Sequence, residues 1–128
     1  MLTPLLVDTD VLVDCLRGLG PAVAFVKKHA DRVLLSAIVV AELYAGVKGD
    51  REQEGLDGLV TAFPVIPVTA DIARAGGLLR RSYGKSHGVS LPDALLAATA
   101  LTEKADLATL NVKHYPMIHG LKPAYARR

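Results

Sequence analysis

Short apolar runs alternate with longer amphipathic stretches along this chain, a rhythm that predicts strands followed by helices. Leu5-Leu6-Val7 reads as a buried strand stopping on Asp8-Thr9-Asp10, and Asp10 through Arg17 as a short helix with Val11, Leu12 and Cys15 at helical spacing, ended by Gly18 and Gly20. Pro21 suits the first turn of a second helix, whose last turn, Lys27-Lys28-His29, complements the helix dipole. Val33-Leu34-Leu35 predicts a second strand, with Ser36 the N-cap of a helix through Ala45. Gly46 to Gly58 is polar and reads as an exposed turn and helix start. Val65-Ile66-Pro67-Val68 predicts a third strand, at an edge because proline cannot donate to a ladder. Thr69 caps a helix carrying Ile72, Ala73, Gly76 and Leu79 inward and Arg74, Arg80 and Arg81 outward, after which Ser82 to Gly88 reads as a mobile basic loop. Ser90 caps a helix through Leu101 that is apolar on nearly every face, and Leu107-Ala108-Thr109-Leu110 is a strand ending on Asn111. Leu121 through Arg128 could add one short strand.

This order predicts an α/β fold: one domain over residues 1–128, with a mostly parallel central sheet of four to five strands flanked by helices. The 51% hydrophobic content of 128 residues supports one sizeable core and not two. The longest uncharged stretches fall short of the roughly 18 apolar residues a spanning helix needs, so no membrane contact is expected. Met1-Leu2-Thr3-Pro4 carries no basic region of a secretory signal, and the lone Cys15 fits a reducing compartment, so the expected location is cytoplasmic.

Charge and aromatic content narrow the chemistry. With a net charge of +2, 5% aromatic residues and no tryptophan, a broad base-stacking platform is excluded, and nucleic-acid contact would run through phosphates. Arg80, Arg81, Lys85 and His87 are the basic residues placed to make it. Gly84-Lys85-Ser86 resembles the end of a P-loop, but Leu79 stands where the first glycine is required and a helix precedes it, so nucleoside-triphosphatase chemistry is set aside. His114 and His119 lack the third ligand that a zinc site needs.

Three acids stand out. Asp8 ends the first strand, where it either points into a ligand crevice or caps the following helix. Glu42 has Ile38, Val39, Ala45 and Gly46 at helical spacing and so projects from an apolar face, where it needs a cationic partner or a bound cation. Asp93 is either the third residue of a capping box begun by Ser90 or a buried acid of a site. Asp14 reads as a surface ion pair with Arg17. In a parallel sheet the strand ends converge, so Asp8, Asn111, Glu42 and Asp93 could meet at one edge. Close carboxylates repel unless a divalent cation neutralises them, and hard oxygen ligands favour Mg²⁺ or Mn²⁺. Such a site can activate water against a phosphodiester without a side-chain nucleophile.

The segments LLVDTDVLVDCLRG, LLSAIVVAELYAG, HGVSLPDALLAATAL and LATLNVKHYPMIHGLKP, in this order and spacing, resemble the PIN domain family and, within it, the VapC-type toxins of toxin–antitoxin modules. The resemblance implies a small Mg²⁺- or Mn²⁺-dependent ribonuclease, often a homodimer, held inactive by a cognate antitoxin whose C-terminal segment covers the site. It implies Asp8, Glu42 and Asp93 as metal-binding acids supported by Thr9, Asp10 and Thr109, with Asn111 as a neutral fourth ligand. His114 falls where these toxins frequently carry an acid. Three other readings stand beside it: a housekeeping RNA-processing PIN nuclease, a non-catalytic interaction domain, and a haloacid-dehalogenase-type phosphatase. The last is suggested by Asp8-Thr9-Asp10, although Leu12 stands where Thr or Val is usual.

Overall fold

The structure, a computed structural model, describes residues 2–127; Met1, first residue of the segment read for a secretory signal, and Arg128, last residue of the predicted tail strand, lie outside it. The elements follow as β1 (Leu5–Val7), α1 (Thr9–Leu16), α2 (Gly20–Lys28), β2 (Val33–Ser36), α3 (Ala37–Ala45), α4 (Gly49–Ala62), β3 (Val65–Ile66), α5 (Ala70–His87), α6 (Leu91–Thr102) and β4 (Asp106–Ala108), then a 3₁₀ turn, Val112–His114.

The four strands form one parallel sheet in the order β3-β2-β1-β4. Leu6 of β1 pairs with Leu34 of β2 on one side and Leu107 of β4 on the other. All three β1 residues are buried, as expected for a central strand covered by helices on both faces. β3 takes an edge, as its sequence predicts, but it stops at Ile66, so Pro67 and Val68 lie beyond the strand. From β1 the chain steps outward through β2 to β3 and then crosses back to β4, so strand order reverses between β1 and β4. That reversal point, at the carboxyl ends of the strands, is where open α/β sheets bind ligands.

Several expectations change. The basic segment Ser82 to His87 is no loop; it forms the last turns of α5. Tyr83 continues the inward stripe of Ile72, Gly76 and Leu79 and packs against the core, while Gly84 leaves room for the Arg80 guanidinium, which lies 1.7 Å from where a Cβ would stand. The helix stops at Gly88, whose φ of +64° is left-handed and whose N–H bonds to Gly84 O. Ala73, expected inward, is exposed because Ile72 and Gly76 take the buried face. The polar stretch after Gly46 is a full helix, α4, anchored by buried Leu56.

The tail adds no strand among the described residues. It makes one backbone bond, Ala124 N–H to Thr109 O, and then lays Tyr125 on Phe25 with ring centroids 5.9 Å apart. This corrects the Asp14–Arg17 pair: Asp14 instead accepts from Tyr125 Oη at 2.7 Å and Arg127 Nε at 3.0 Å, because the returning tail reaches it. Burial pushes the Asp14 carboxyl up, but those hydrogen bonds and the charges of Arg127 and Arg17 outweigh it and hold it below the usual range. Among the described residues no helix is long and apolar enough to cross a membrane.

Candidate active site

β1 delivers Asp8 to the strand-order reversal point, and β4 delivers Thr109 beside it; the two strand ends are joined by Asp8 N–H donating to Ala108 O at 2.9 Å. Asp8 is buried, with 7% of its surface exposed. Its Oδ1 accepts from Thr9 N–H at 2.7 Å, which makes it the N-cap of α1. Its Oδ2 accepts from Thr109 Oγ1 at 2.8 Å and Tyr115 Oη at 2.7 Å. Capping therefore uses only one oxygen, and the other faces two hydroxyls. Burial, then the nearby Asp10 charge, raises the Asp8 carboxyl above its usual range against the pull of the Tyr115, Thr109 and Thr9 hydrogen bonds.

Tyr115 joins the second acid. Its hydroxyl also lies 3.2 Å from Asp93 Oδ1, while His114 Nδ1 lies 3.2 Å from Asp93 Oδ2. Burial, followed by the two carboxylates, drives the Tyr115 phenol far above its ordinary value, so it is a neutral donor. Ser90 does cap α6, accepting from Asp93 N–H at 3.2 Å, but the Asp93 carboxylate turns to Tyr115 and His114 and closes no capping box. Asp93 is half-buried.

Glu42 corrects the sequence reading in its burial. Val39 and Leu43 take the core face of α3, and Glu42, about 100° around the helix from Leu43, is exposed. Thr9 Oγ1 donates to its Oε1 at 2.9 Å, so Thr9 links Glu42 to Asp8. The carboxylates thus form one chain: Glu42, Thr9, Asp8, Tyr115, Asp93, His114. Among the described residues neither Asp8 nor Glu42 is ion-paired with lysine or arginine. Among those residues, the structural partner that a buried-pair reading of Glu42 requires is not there.

Asp10 and Asn111 have another task. Asp10 Oδ1 accepts from Val11 N–H at 2.8 Å; its Oδ2 accepts from Leu110 N–H at 2.9 Å and Asn111 Nδ2 at 3.1 Å, with Thr109 Oγ1 at 3.4 Å. It fastens the loop after β4 to α1, and Asn111 is held through its amide nitrogen. With both oxygens engaged, Asp10 is ill suited to the acid/base role that the phosphatase reading gives it. Asn111 N–H also donates to Thr109 Oγ1 at 3.1 Å.

Arg80, Arg81, Lys85 and His87 lie on the last turns of α5, outside this chain of hydrogen bonds; all four are exposed, and none is in an ion pair among the described residues. Beside Glu42, a cleft of about 570 Å³ opens between α1, α3 and α4 over Val13, Leu16, Leu43 and Leu56, with Arg51 also lining it. His119 is exposed and contributes nothing to the cluster.

Hard carboxylate oxygens without a cationic side chain on Asp8 or Glu42 fit a divalent cation in donor chemistry. They are linked through Thr9 and Tyr115 rather than gathered about one point: among the described residues, no three His, Cys, Asp or Glu side chains stand close enough to hold a metal ion. The residue that sequence reasoning missed is Tyr115. The available signal was a tyrosine just past the last strand, since a buried phenol needs a polar partner and the nearest strand ends carry acids.

Comparison with known proteins identifies the family. Residues 5–115 match the PIN domain family. The chain is 41% identical over 124 residues to Ribonuclease VapC19 of Mycobacterium tuberculosis, spanning 94% of this chain and 98% of that protein. It is 42% identical over 125 residues to Ribonuclease VapC10 of the same organism, spanning 95% and 93%. Among solved structures, a chain of a toxin–antitoxin complex from Klebsiella pneumoniae superposes with a TM-score of 0.81 at 28% identity, covering 94% of this chain and 97% of that one. VapBC2 from Rickettsia felis, bound to a DNA fragment from its promoter, superposes at 0.75 with 25% identity, covering 91% and 94%. An α/β chain with its acids at the strand-order reversal of a parallel sheet, matched end to end by these relatives, belongs to the PIN domain family and, within it, to the VapC ribonucleases.

Proposed function

We propose that this protein is a divalent-metal-dependent endoribonuclease that acts as the toxin of a toxin–antitoxin pair. The observation that carries the reading is the hydrogen-bonded chain of Asp8, Glu42 and Asp93 at the sheet's reversal point, with no lysine or arginine on Asp8 or Glu42 among the described residues, in a chain 41% identical to a ribonuclease. Asp8, Glu42 and Asp93 would hold Mg²⁺ or Mn²⁺ once their carboxylates close in from the separation seen here, with Asn111 a weaker neutral contributor. When bound, the cation supplies an activated water and neutralises charge developing on the phosphate.

The chain's own residues prepare that site. Thr9 N–H, Thr109 Oγ1 and Tyr115 Oη fix the Asp8 carboxylate, and Thr9 Oγ1 fixes Glu42. Asp10 holds Leu110 and Asn111 in place from beneath. Arg80, Arg81, Lys85 and His87 offer phosphate contacts that carry no base choice. The cleft beside Glu42 suits the C-terminal segment of a cognate antitoxin, and a partner of that class is supported by solved relatives that are toxin–antitoxin complexes. Homodimer formation belongs to the same reading, with Leu78, Leu91 and Leu101 as exposed apolar surface on α5 and α6.

Asp8→Asn tests the reading. It is expected to lower the RNA cleavage rate by orders of magnitude while circular dichroism and the unfolding transition show an intact fold. An unchanged rate refutes the role of Asp8. A wild-type protein that cleaves nothing and binds no metal favours the non-catalytic reading, and a protein that cleaves but is encoded without a neighbouring antitoxin favours the housekeeping one.

A further inference from the structure

Tyr115 carries one polar atom into a place where the core needs none. The residue is 1% exposed and packs in the central apolar cluster, so phenylalanine would fill the same volume. Its hydroxyl has one proton and two carboxylate neighbours, Asp8 Oδ2 at 2.7 Å and Asp93 Oδ1 at 3.2 Å. The shorter contact assigns that proton to Asp8. Asp8 Oδ2 then has both acceptor positions filled, by Tyr115 and by Thr109 Oγ1 at 2.8 Å, and Oδ1 has one filled by Thr9 N–H. Asp93 is approached at the same time by the neighbouring His114. The turn Val112–His114 and the tyrosine after it therefore reach both acids, and no lysine or arginine does so among the described residues.

We propose that Tyr115 is a positioning residue whose hydroxyl clamps Asp8 Oδ2 in the metal-free protein and competes with a divalent cation for the Asp8 carboxylate. The proposal rests on the metal reading of the preceding section. A hydrogen bond to a buried carboxylate stabilises the metal-free folded state. A cation that draws on the same oxygen must weaken that bond, so the loaded state keeps less of its benefit. By linkage, deleting the hydroxyl raises the free energy of the metal-free state more than that of the loaded state, and the cation binds more tightly by the difference. The clamp thus sets how readily the site loads: it satisfies Asp8 Oδ2 while the site is empty and makes loading conditional on a higher cation concentration.

The test compares the full-length wild type with Tyr115→Phe, which keeps the buried ring. Mn²⁺ binding is measured by calorimetry, and thermal unfolding is followed in EDTA and in saturating Mn²⁺. The expected result is Mn²⁺ binding about tenfold tighter in the variant, with a loss of Tm in EDTA that shrinks when Mn²⁺ is added. A variant that merely packs less well loses the same Tm in both conditions and binds Mn²⁺ unchanged, and weaker binding would mean that the hydroxyl assists loading; either result overturns the proposal. A second measurement separates this proposal from the reading beneath it. If the wild type binds no Mn²⁺, the metal reading falls and the competition with it, and the clamp is judged by a double-mutant cycle of Tyr115→Phe with Asp8→Ala, which leaves no acceptor, in EDTA. Coupling between the two supports the clamp, and additivity overturns it.

Discussion

Replacing Thr109 by valine removes one hydroxyl from the point where two strand ends meet. Thr109 is fully buried, and its Oγ1 donates to Asp8 Oδ2 at 2.8 Å and accepts from Asn111 N–H at 3.1 Å. The Asp10 oxygen at 3.4 Å takes no proton, because the hydroxyl has one and the shorter contact uses it. Donation to a buried carboxylate is worth about 1.5 to 3 kcal/mol. Asn111 is exposed, so water replaces its lost acceptor at little cost. The added valine methyl returns roughly 0.8 kcal/mol of apolar burial. The net loss is about 1.5 kcal/mol, which in a domain of this size lowers Tm by about 4 to 8 °C. Urea unfolding in EDTA measures it directly. The same change is expected to move the Asp8 carboxyl further up, since a hydrogen bond to its charged form is lost, and ¹³C-detected titration reads that direction. A stability change below about 0.5 kcal/mol, or a loss of the same size in an Asp8→Ala background, would refute the assignment of this bond.

Asp8→Asn tests the pH dependence that the buried carboxylate imposes. Because the folded-state value lies above the usual 3.8, the native state binds this proton more tightly than the unfolded chain; that contribution is present below about pH 3.8 and is lost as pH rises through the folded value. In EDTA the variant is therefore expected to gain stability relative to wild type as pH rises, and a difference that is flat with pH contradicts the account. Asp14 behaves oppositely: with its folded value held low, its contribution is present above 3.8 and lost as pH falls through the lowered value. The destabilisation by Asp14→Asn is thus expected to be largest at neutral pH and to fade in acid, and denaturation midpoints across pH check it. Adjacent glycines on α5 give a steric contrast. A Cβ at Gly76 would stand 2.5 Å from Leu95 Cδ2 and 3.0 Å from Leu95 Cα, whereas nothing lies within 4 Å at Gly77. Gly76→Ala is expected to lose about 1 to 2 kcal/mol by overpacking, and Gly77→Ala to gain up to about 1 kcal/mol from helix propensity; equal effects in thermal melts would rule out close α5–α6 packing there.

Local patterning carried most of the architecture. β1 and β2 stand out as apolar runs, Ser36, Thr69 and Ser90 each accept the capping hydrogen bond their sequences predict, and Pro67 marks the edge strand. Long-range geometry was illegible. Nothing local to Ser82–His87 shows that Tyr83 is held against the core and that Gly84 admits the Arg80 guanidinium, so the segment reads as a loop when it is helix. Asp14 has Arg17 in helical reach, yet its partners come from the chain's far end. At the site, the acids are visible because carboxylates at strand and helix ends conflict with a simple core. Their burial is not: Glu42 turns outward by one helical position. Tyr115 is hidden for the same reason, because its meaning depends on contacts across 107 residues to Asp8 and 22 to Asp93.

The central claim is that these acids form a metal-dependent nuclease centre. It is tested most directly by incubating purified protein with a mixed set of structured and single-stranded RNAs in Mg²⁺ or Mn²⁺, beside EDTA and an Asp93→Asn control. The account predicts cleavage by wild type that stops in EDTA and is lost in Asp93→Asn. Cleavage that persists in EDTA, or that the variant performs equally well, would contradict it.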